Sequence, residues 1–458
     1  MSWANRLAFF LICGTIIFTT LAYGTVHQPI IALFYVIVSS ILILWAIDGF
    51  LSGTIRFSRS ILQIPLLAAA AYGAIQIIPF GNAGEISGLS GIPRTISLDP
   101  FATQVSALHF FALLIFFSAS LVYIDSAARL RKVVAVIAIF GFVYSFFAIL
   151  QSFLSPGKIY GIYEARFAVP FGSFVNRHNF AAYMEMTMAL PLGLLFAGAV
   201  NKDKRLLYLT AIALMGVALL LSGSRGGLVA LLSEIILLLI LTTGTKRRGK
   251  LFLKVGFSGL LIAAIVFGSI YIGGESSLTR LAETAASEDI TTDRGHIWSV
   301  TLKVIKENMP FGAGLGALGV AYTPFDNYSG TERVEQAHND YLQVAADAGI
   351  VGIIISAFFL FWLFREGLKA AKTDNIYRRG VAIGAFAGCF GILVHSIFDF
   401  VLHTTAISVL FITLIALMVA SRSRYKDDVE AVDAIRRKRS SGSTPTSISK
   451  VRRGSFKV

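Results

Sequence analysis

Apolar stretches long enough to cross a bilayer recur along almost the whole chain, separated by short polar breaks. About 18 consecutive apolar residues suffice for one helical crossing. Runs such as 7–24, 29–47, 131–154 and 251–272 meet that length. The pattern predicts about twelve transmembrane helices, over 7–24, 29–47, 61–79, 105–124, 131–154, 178–200, 206–221, 226–242, 251–272, 339–364, 380–396 and 403–420. The expected fold class is all-α and polytopic, with one membrane domain over 1–420 and a compositionally distinct tail over 421–458. Two breaks are long, 81–104 and 273–337. Inside the second, Ile297, Val300, Thr301, Val304 and Ile305 fall at helical spacing. That predicts an amphipathic helix over 294–308, lying on the membrane surface.

Composition narrows the picture. Of the 458 residues, 55% are hydrophobic and only 14% charged, where a soluble protein carries about a quarter charged. No large soluble domain fits into the remaining polar sequence. Cys13 and Cys389 both sit inside apolar runs, which argues for packing residues and against a disulfide framework or metal cluster. Arg6 followed by an apolar run resembles the start of a signal peptide. No small-residue cleavage site follows and a second span comes at once, so the run reads as the first transmembrane helix.

Charge sets the orientation. With the N-terminus in the cytoplasm, 30 of the 40 Lys and Arg residues fall on the cytoplasmic side. The positive-inside rule therefore places both termini in the cytoplasm and the two long breaks outside. The Ser-rich, basic tail is expected to be disordered beside the anionic inner leaflet, a topology signal rather than a nucleic-acid arm.

Four segments, all on the outer side by the parity of the spans, carry polar chemistry. They are FGSFVNRHNFAA (171–182), LSGSRGG (221–227), TTDRGHIW (291–298) with PFGAGLGALG (310–319), and VEQAHNDYLQVAADAGIVG (334–352). Arg225 lies in a very short outer loop, where a snorkelling topology residue is not expected and where a guanidinium wants an anionic partner. Arg294 opens the amphipathic helix after Asp293, and a local ion pair is its blander reading. Arg166 and Arg177 occupy the loop before the sixth span. Together these arginines offer fork-shaped donors suited to phosphate oxygens. His338 stands where the long loop meets a span, flanked by Glu335, Asn339 and Asp340. It fits a general base or a positioned hydrogen-bond partner, with a purely structural role equally open. His395, Asp399 and His403, spaced to share one helical face, suit a metal site less well than a turn with a partly buried hydrogen-bond network. The glycine-rich 310–319 follows no strand and is no dinucleotide fingerprint.

The run His338-Asn339-Asp340-Tyr341-Leu342 with Gly349 and Gly352 resembles the signature of the O-antigen ligase and polymerase superfamily, with Asp347 where that pattern usually has Glu. Ser224-Arg225-Gly226, Arg294 with Trp298, PFGAGLG, and Gly172 to Asn176 with Asn179 and Ala182 match further family segments in order. The resemblance covers roughly 160–420; the first 150 residues resemble only generic spans. It implies a metal-independent, cofactor-free glycosyltransferase of the bacterial inner membrane, with a helical fold of the lipid-linked (GT-C) type. The implied donor is a glycan on undecaprenyl diphosphate. The acceptor would be a lipid A core sugar, another lipid-linked glycan or a protein hydroxyl. In that frame Arg225 and Arg294 hold the diphosphate and His338 activates the acceptor hydroxyl. Arg166, Arg177, Asn176, Asn339 and Glu335 line the substrate site. Membrane lipids are expected partners and nucleic acid is not. A transporter, the competing class, should carry its polar residues near the membrane midplane rather than at the outer ends.

Overall fold

The computed structural model describes residues 2–82, 91–165, 168–242, 294–327 and 333–422, with scattered helical positions between 255 and 267. The chain is all-α and polytopic. Among the described residues nine helices are long and apolar enough to cross a membrane, and two shorter apolar helices accompany them. In chain order the helices are α1 (Trp3–Leu21), α2 (Gln28–Ser52), α3 (Ile64–Gln76), α4 (Pro100–Tyr123), α5 (Ala127–Leu154), α6 (Arg177–Ala197), α7 (Arg205–Leu221) and α8 (Arg225–Thr242). The series continues with α9 (Arg294–Asn308), α10 (Leu318–Tyr322), α11 (Asp340–Ala370), α12 (Ile376–His395) and α13 (Thr405–Ala420). Eleven of the twelve expected spans have a helix here. The expected span over 251–272 and the tail beyond Arg422 fall largely or wholly outside the described residues. A two-residue hairpin, β1 (Lys158–Ile159) with β2 (Tyr163–Glu164), is the one sheet among the described residues.

The helices divide by what surrounds them. On α2 and α5, Val36, Ile43, Ile139 and Val143 are exposed large apolar side chains, as a lipid-facing surface requires. By contrast α6, α12 and α13 are buried on nearly all sides and form the middle of the bundle. Small residues let α6 and α12 touch: a Cβ on Gly193 would lie 2.4 Å from Gly384 Cα. Association inside a membrane relies on such close backbone approach, because lipid gives apolar side chains no reason to leave it. At the bundle end away from the polar segments, Asp48 accepts hydrogen bonds from Ser2, Asn5 and Arg56, and Arg56 also reaches Asp125. This ties α1, α2 and the α4–α5 turn together.

At the other end α9 appears where periodicity predicts it, but its apolar face turns onto protein instead of the bilayer. Val304 packs with Ala313, Leu318, Ala321, Ala337 and Ala346. A second finding is that α11 is broken. Gly349 adopts φ 56° and ψ −142° in the middle of the helix. The glycine-rich loop after α9 fills the break. Ile350 N–H donates to Pro310 O at 2.9 Å, Ala313 N–H to Ala346 O at 2.8 Å and Gly314 N–H to Asp347 O at 2.9 Å. Gln76 of α3 joins from the side, its amide donating to the carbonyls of Phe311 and Asp347. Backbone groups freed by the break are thus satisfied inside the protein, as a low-dielectric setting demands. The PFGAGLG motif is a clasp that locks α9, α11 and α3 to one another.

Candidate active site

Asp399 organises the polar end of the bundle. It lies in the turn between α12 and α13, and its side chain is 2% exposed. Three other elements converge on it. Arg294, the first residue of α9, places Nη2 3.2 Å from Asp399 Oδ2, and its Nη1 donates to the carbonyl of Phe398. His338, just before α11, brings Nδ1 to 3.1 Å from Asp399 Oδ1. His178, in the first turn of α6, has Nδ1 4.0 Å from Asp399 Oδ2 and 3.0 Å from Ser224 Oγ. The Phe400 N–H also donates to Asp399, at 2.9 Å.

Helix caps fix these side chains in place. Asn339 caps α11 by accepting from the N–H groups of Tyr341 and Leu342, each at 3.0 Å, and its own amide donates to Ile397 O at 2.9 Å. The Asp340 N–H donates to Ser396 O at 2.9 Å. The start of α11 is therefore fastened to the turn that carries Asp399. His338 sits at this junction with φ 49°, a left-handed conformation that a non-glycine residue adopts only when its surroundings force it. Asn176 caps α6 by accepting from His178 N–H at 2.8 Å, which orients the His178 turn. Ser224 accepts from Gly227 N–H at 3.2 Å and so caps α8. Arg225 is then the first residue of α8, half-buried, and its guanidinium has no hydrogen bond or ion pair with the described residues. A helix N-terminus and an uncommitted guanidinium both favour an anion.

The electrostatics follow from these contacts. Burial works against charge on Asp399. The hydrogen bond from His338 and the surrounding positive groups, Arg294 among them, outweigh it and hold the carboxyl well below the usual carboxylate range. An ionised Asp399 facing His338 Nδ1 keeps the proton on that nitrogen. Nε2 is then the free lone pair, on a ring whose side chain is 32% exposed. A carboxylate that orients an imidazole in this way is a recurrent arrangement for a general base.

The structure sorts the residues singled out by sequence. His338 and Arg294 meet at Asp399. Arg225 and Arg177 border the same region: Arg177 Nη1 would lie 3.4 Å from a Cβ on Gly223, in the turn before α8. Asn176 and Asn339 serve as helix caps. Glu335 is exposed and pairs with Arg333 at 3.0 Å, so the carboxylate at His338 is Asp399 rather than its sequence neighbour. Arg166 lies outside the described residues. The 395–403 cluster is a turn with three separate partners: His395 Nδ1 stands 3.2 Å from Glu185, Asp399 holds Arg294 and His338, and His403 Nδ1 stands 2.9 Å from Asp340 Oδ1. Sequence reasoning passed over His178 and the fully buried Glu185. A carboxylate inside an apolar span was the available signal for the second.

No curated protein matches the chain. A family model does, and its matched segment holds Arg225, Arg294, the clasp, His338 and Gly349, while Asn176, His178 and Asp399 lie outside it. Residues 210–357 match the family described as O-antigen ligase, which supports a function of the O-antigen ligase or polymerase type for this multi-pass helical membrane protein.

Proposed function

We propose that the protein transfers a glycan from a polyprenyl diphosphate, of the undecaprenyl class, to an acceptor hydroxyl at the extracytoplasmic face of the bacterial inner membrane. The observation that carries this reading is the convergence of His338, Arg294 and Asp399 from three distant parts of the chain at one end of the bundle. The uncommitted Arg225 stands close by, at the start of α8. Such a donor has a tail soluble in lipid and a diphosphate at the membrane surface, and arginines at the end of an apolar helical bundle support that reading.

His338 Nε2 takes the proton of the acceptor hydroxyl as its oxygen attacks the anomeric carbon. Asp399 holds the imidazole in the required tautomer and balances the imidazolium that forms. Arg225 binds the diphosphate, with Arg177 and the free donors of Arg294 as further ligands. These guanidinium groups stabilise the charge that develops as the glycosyl bond breaks. Direct displacement inverts the anomeric carbon. A lipid A core sugar as acceptor makes the reaction ligation, a growing lipid-linked glycan makes it polymerisation of an O-antigen or exopolysaccharide, and a protein hydroxyl makes it O-glycosylation. The positive-inside count of the sequence supports the extracytoplasmic orientation.

The test uses purified protein and lipid-linked glycan extracted from cells lacking it, mixed with membranes of the same cells as the acceptor source. Wild type should release polyprenyl diphosphate. Arg225→Lys keeps the charge but loses the two-pronged fork, and should cut release about 10-fold or more at equal protein abundance. Undiminished release by Arg225→Lys would remove the diphosphate role.

A further inference from the structure

His338 is not the only imidazole at this end of the bundle that is backed by a buried carboxylate. The two segments that meet here exchange side chains in both directions. His338, before α11, pairs with Asp399 of the turn, while Asp340, two residues further on, pairs with His403 of the same turn at 2.9 Å. Asp340 Oδ2 also accepts from the Leu402 N–H at 3.2 Å, which fixes the carboxylate against the His403 turn. In both pairs the carboxylate takes Nδ1 and leaves Nε2 without a partner among the described residues. Both rings remain accessible, 32% for His338 and 36% for His403.

The two pairs differ in charge. Asp399 is shared between His338 and the Arg294 guanidinium, so part of its charge is already balanced. Asp340 has His403 as its ring partner and no ion pair to Arg or Lys among the described residues. Asp340 therefore favours a proton on His403.

We propose that His403, held by Asp340, is the general acid of the site, complementary to His338 as the base. This rests on the glycan-transfer reading above and assigns its second proton. The acceptor O–H proton goes to His338 Nε2, and the acceptor oxygen bonds to the anomeric carbon. The bond from that carbon to the diphosphate oxygen breaks, its electron pair stays on the oxygen, and His403 Nε2–H protonates it. One ring gains a proton and the other loses one, and exchange with water resets both. The groups facing His403 agree with this. Burial opposes its charge, but the hydrogen bond and charge of Asp340, with Asp347 of α11 further off, raise its pKa above the ordinary 6.5. His109 of α4 also lies within electrostatic reach of it. Around His338 the corresponding groups are Asp399, Arg294 and His178.

The experiment is the pH profile of polyprenyl diphosphate release, using the extracted lipid-linked glycan and deletion-strain membranes as probe. Wild type should lose turnover along an alkaline limb as His403 gives up its proton. His403→Gln should cut turnover about 10²-fold or more and abolish the alkaline limb. Asp340→Asn keeps an acceptor for Nδ1 but removes the charge, and should move the alkaline limb to lower pH. It decides the matter if His403→Gln does not accumulate. An active wild type whose alkaline limb survives His403→Gln, or is unmoved by Asp340→Asn, overturns the acid role alone. A wild type that releases no polyprenyl diphosphate overturns the transfer reading with it.

Discussion

Replacing Asp399 by Asn tests the organising role of that carboxylate with the least change of shape. The substitution keeps one oxygen, which can still accept from His338 Nδ1 and the Phe400 N–H. The new NH₂ then faces Arg294 Nη2, a donor against a donor at 3.2 Å. Removing one partner of a fully buried ion pair costs about 3–5 kcal/mol. Arg294 and His338 are partly accessible to water, which lowers the expected loss of stability to about 1–3 kcal/mol. The effect on chemistry should be larger. Without the charge, the tautomer that presents Nε2 is held less firmly, and the imidazolium that forms on His338 is no longer balanced. In a serine protease triad the equivalent Asp to Asn change lowers turnover about 10⁴-fold. Here the retained oxygen and the more open site suggest about 10²–10³-fold. The assay is release of polyprenyl diphosphate at matched protein amounts, with donor binding measured separately by co-purification of lipid-linked glycan. Turnover within a few-fold of wild type, at normal stability, would refute the claim that Asp399 acts on His338.

Three further outcomes follow from the same contacts. Gly349→Ala places a Cβ 2.2 Å from Pro310 O at a backbone conformation essentially closed to alanine; it should cost about 2–6 kcal/mol and lower the melting temperature in detergent, and an unchanged melt would deny the clasp its role. Asp399 ionises below its unfolded value near 3.8, so its stabilisation is complete above that pH and is lost as pH falls through the depressed folded value. The melting difference between wild type and Asp399→Asn should therefore shrink as pH is lowered below the ordinary carboxylate range, and a difference that grows would reverse the sign. Cysteines introduced at 296 or 335 should react with a membrane-impermeant thiol reagent in spheroplasts, whereas one at 203 should not; the reverse pattern would invert the orientation.

Much of the architecture could be read from the residues because bilayer thickness imposes a length rule on each span. The helix over 294–308 was legible for the same kind of reason, its apolar positions repeating at helical spacing. What covers that face was not legible, since periodicity gives the direction of an apolar stripe and not whether lipid or protein meets it. The break at Gly349 was hidden among helix formers, and its cause lies in the Pro310 and Gly312 backbone some forty residues earlier. His338 and Arg294 stood out through residue type and position. Their link could not, because Asp399 follows His338 by 61 residues and reaches it only after α11 and α12 have crossed and returned. Glu335 and Asp340 were nearer in sequence, and tertiary packing turned one towards Arg333 and the other towards His403.

The mechanism proposed for the site gives proton transfer to His338 and the holding of the donor to the arginines. It is tested most directly by His338→Ala in two parallel measurements on purified protein: binding of extracted lipid-linked glycan, and release of polyprenyl diphosphate when deletion-strain membranes are supplied. Near-normal binding is expected, with release reduced about 10²–10⁴-fold, the usual cost of removing a general base. Wild-type release by the alanine variant, or loss of donor binding instead of turnover, would contradict it.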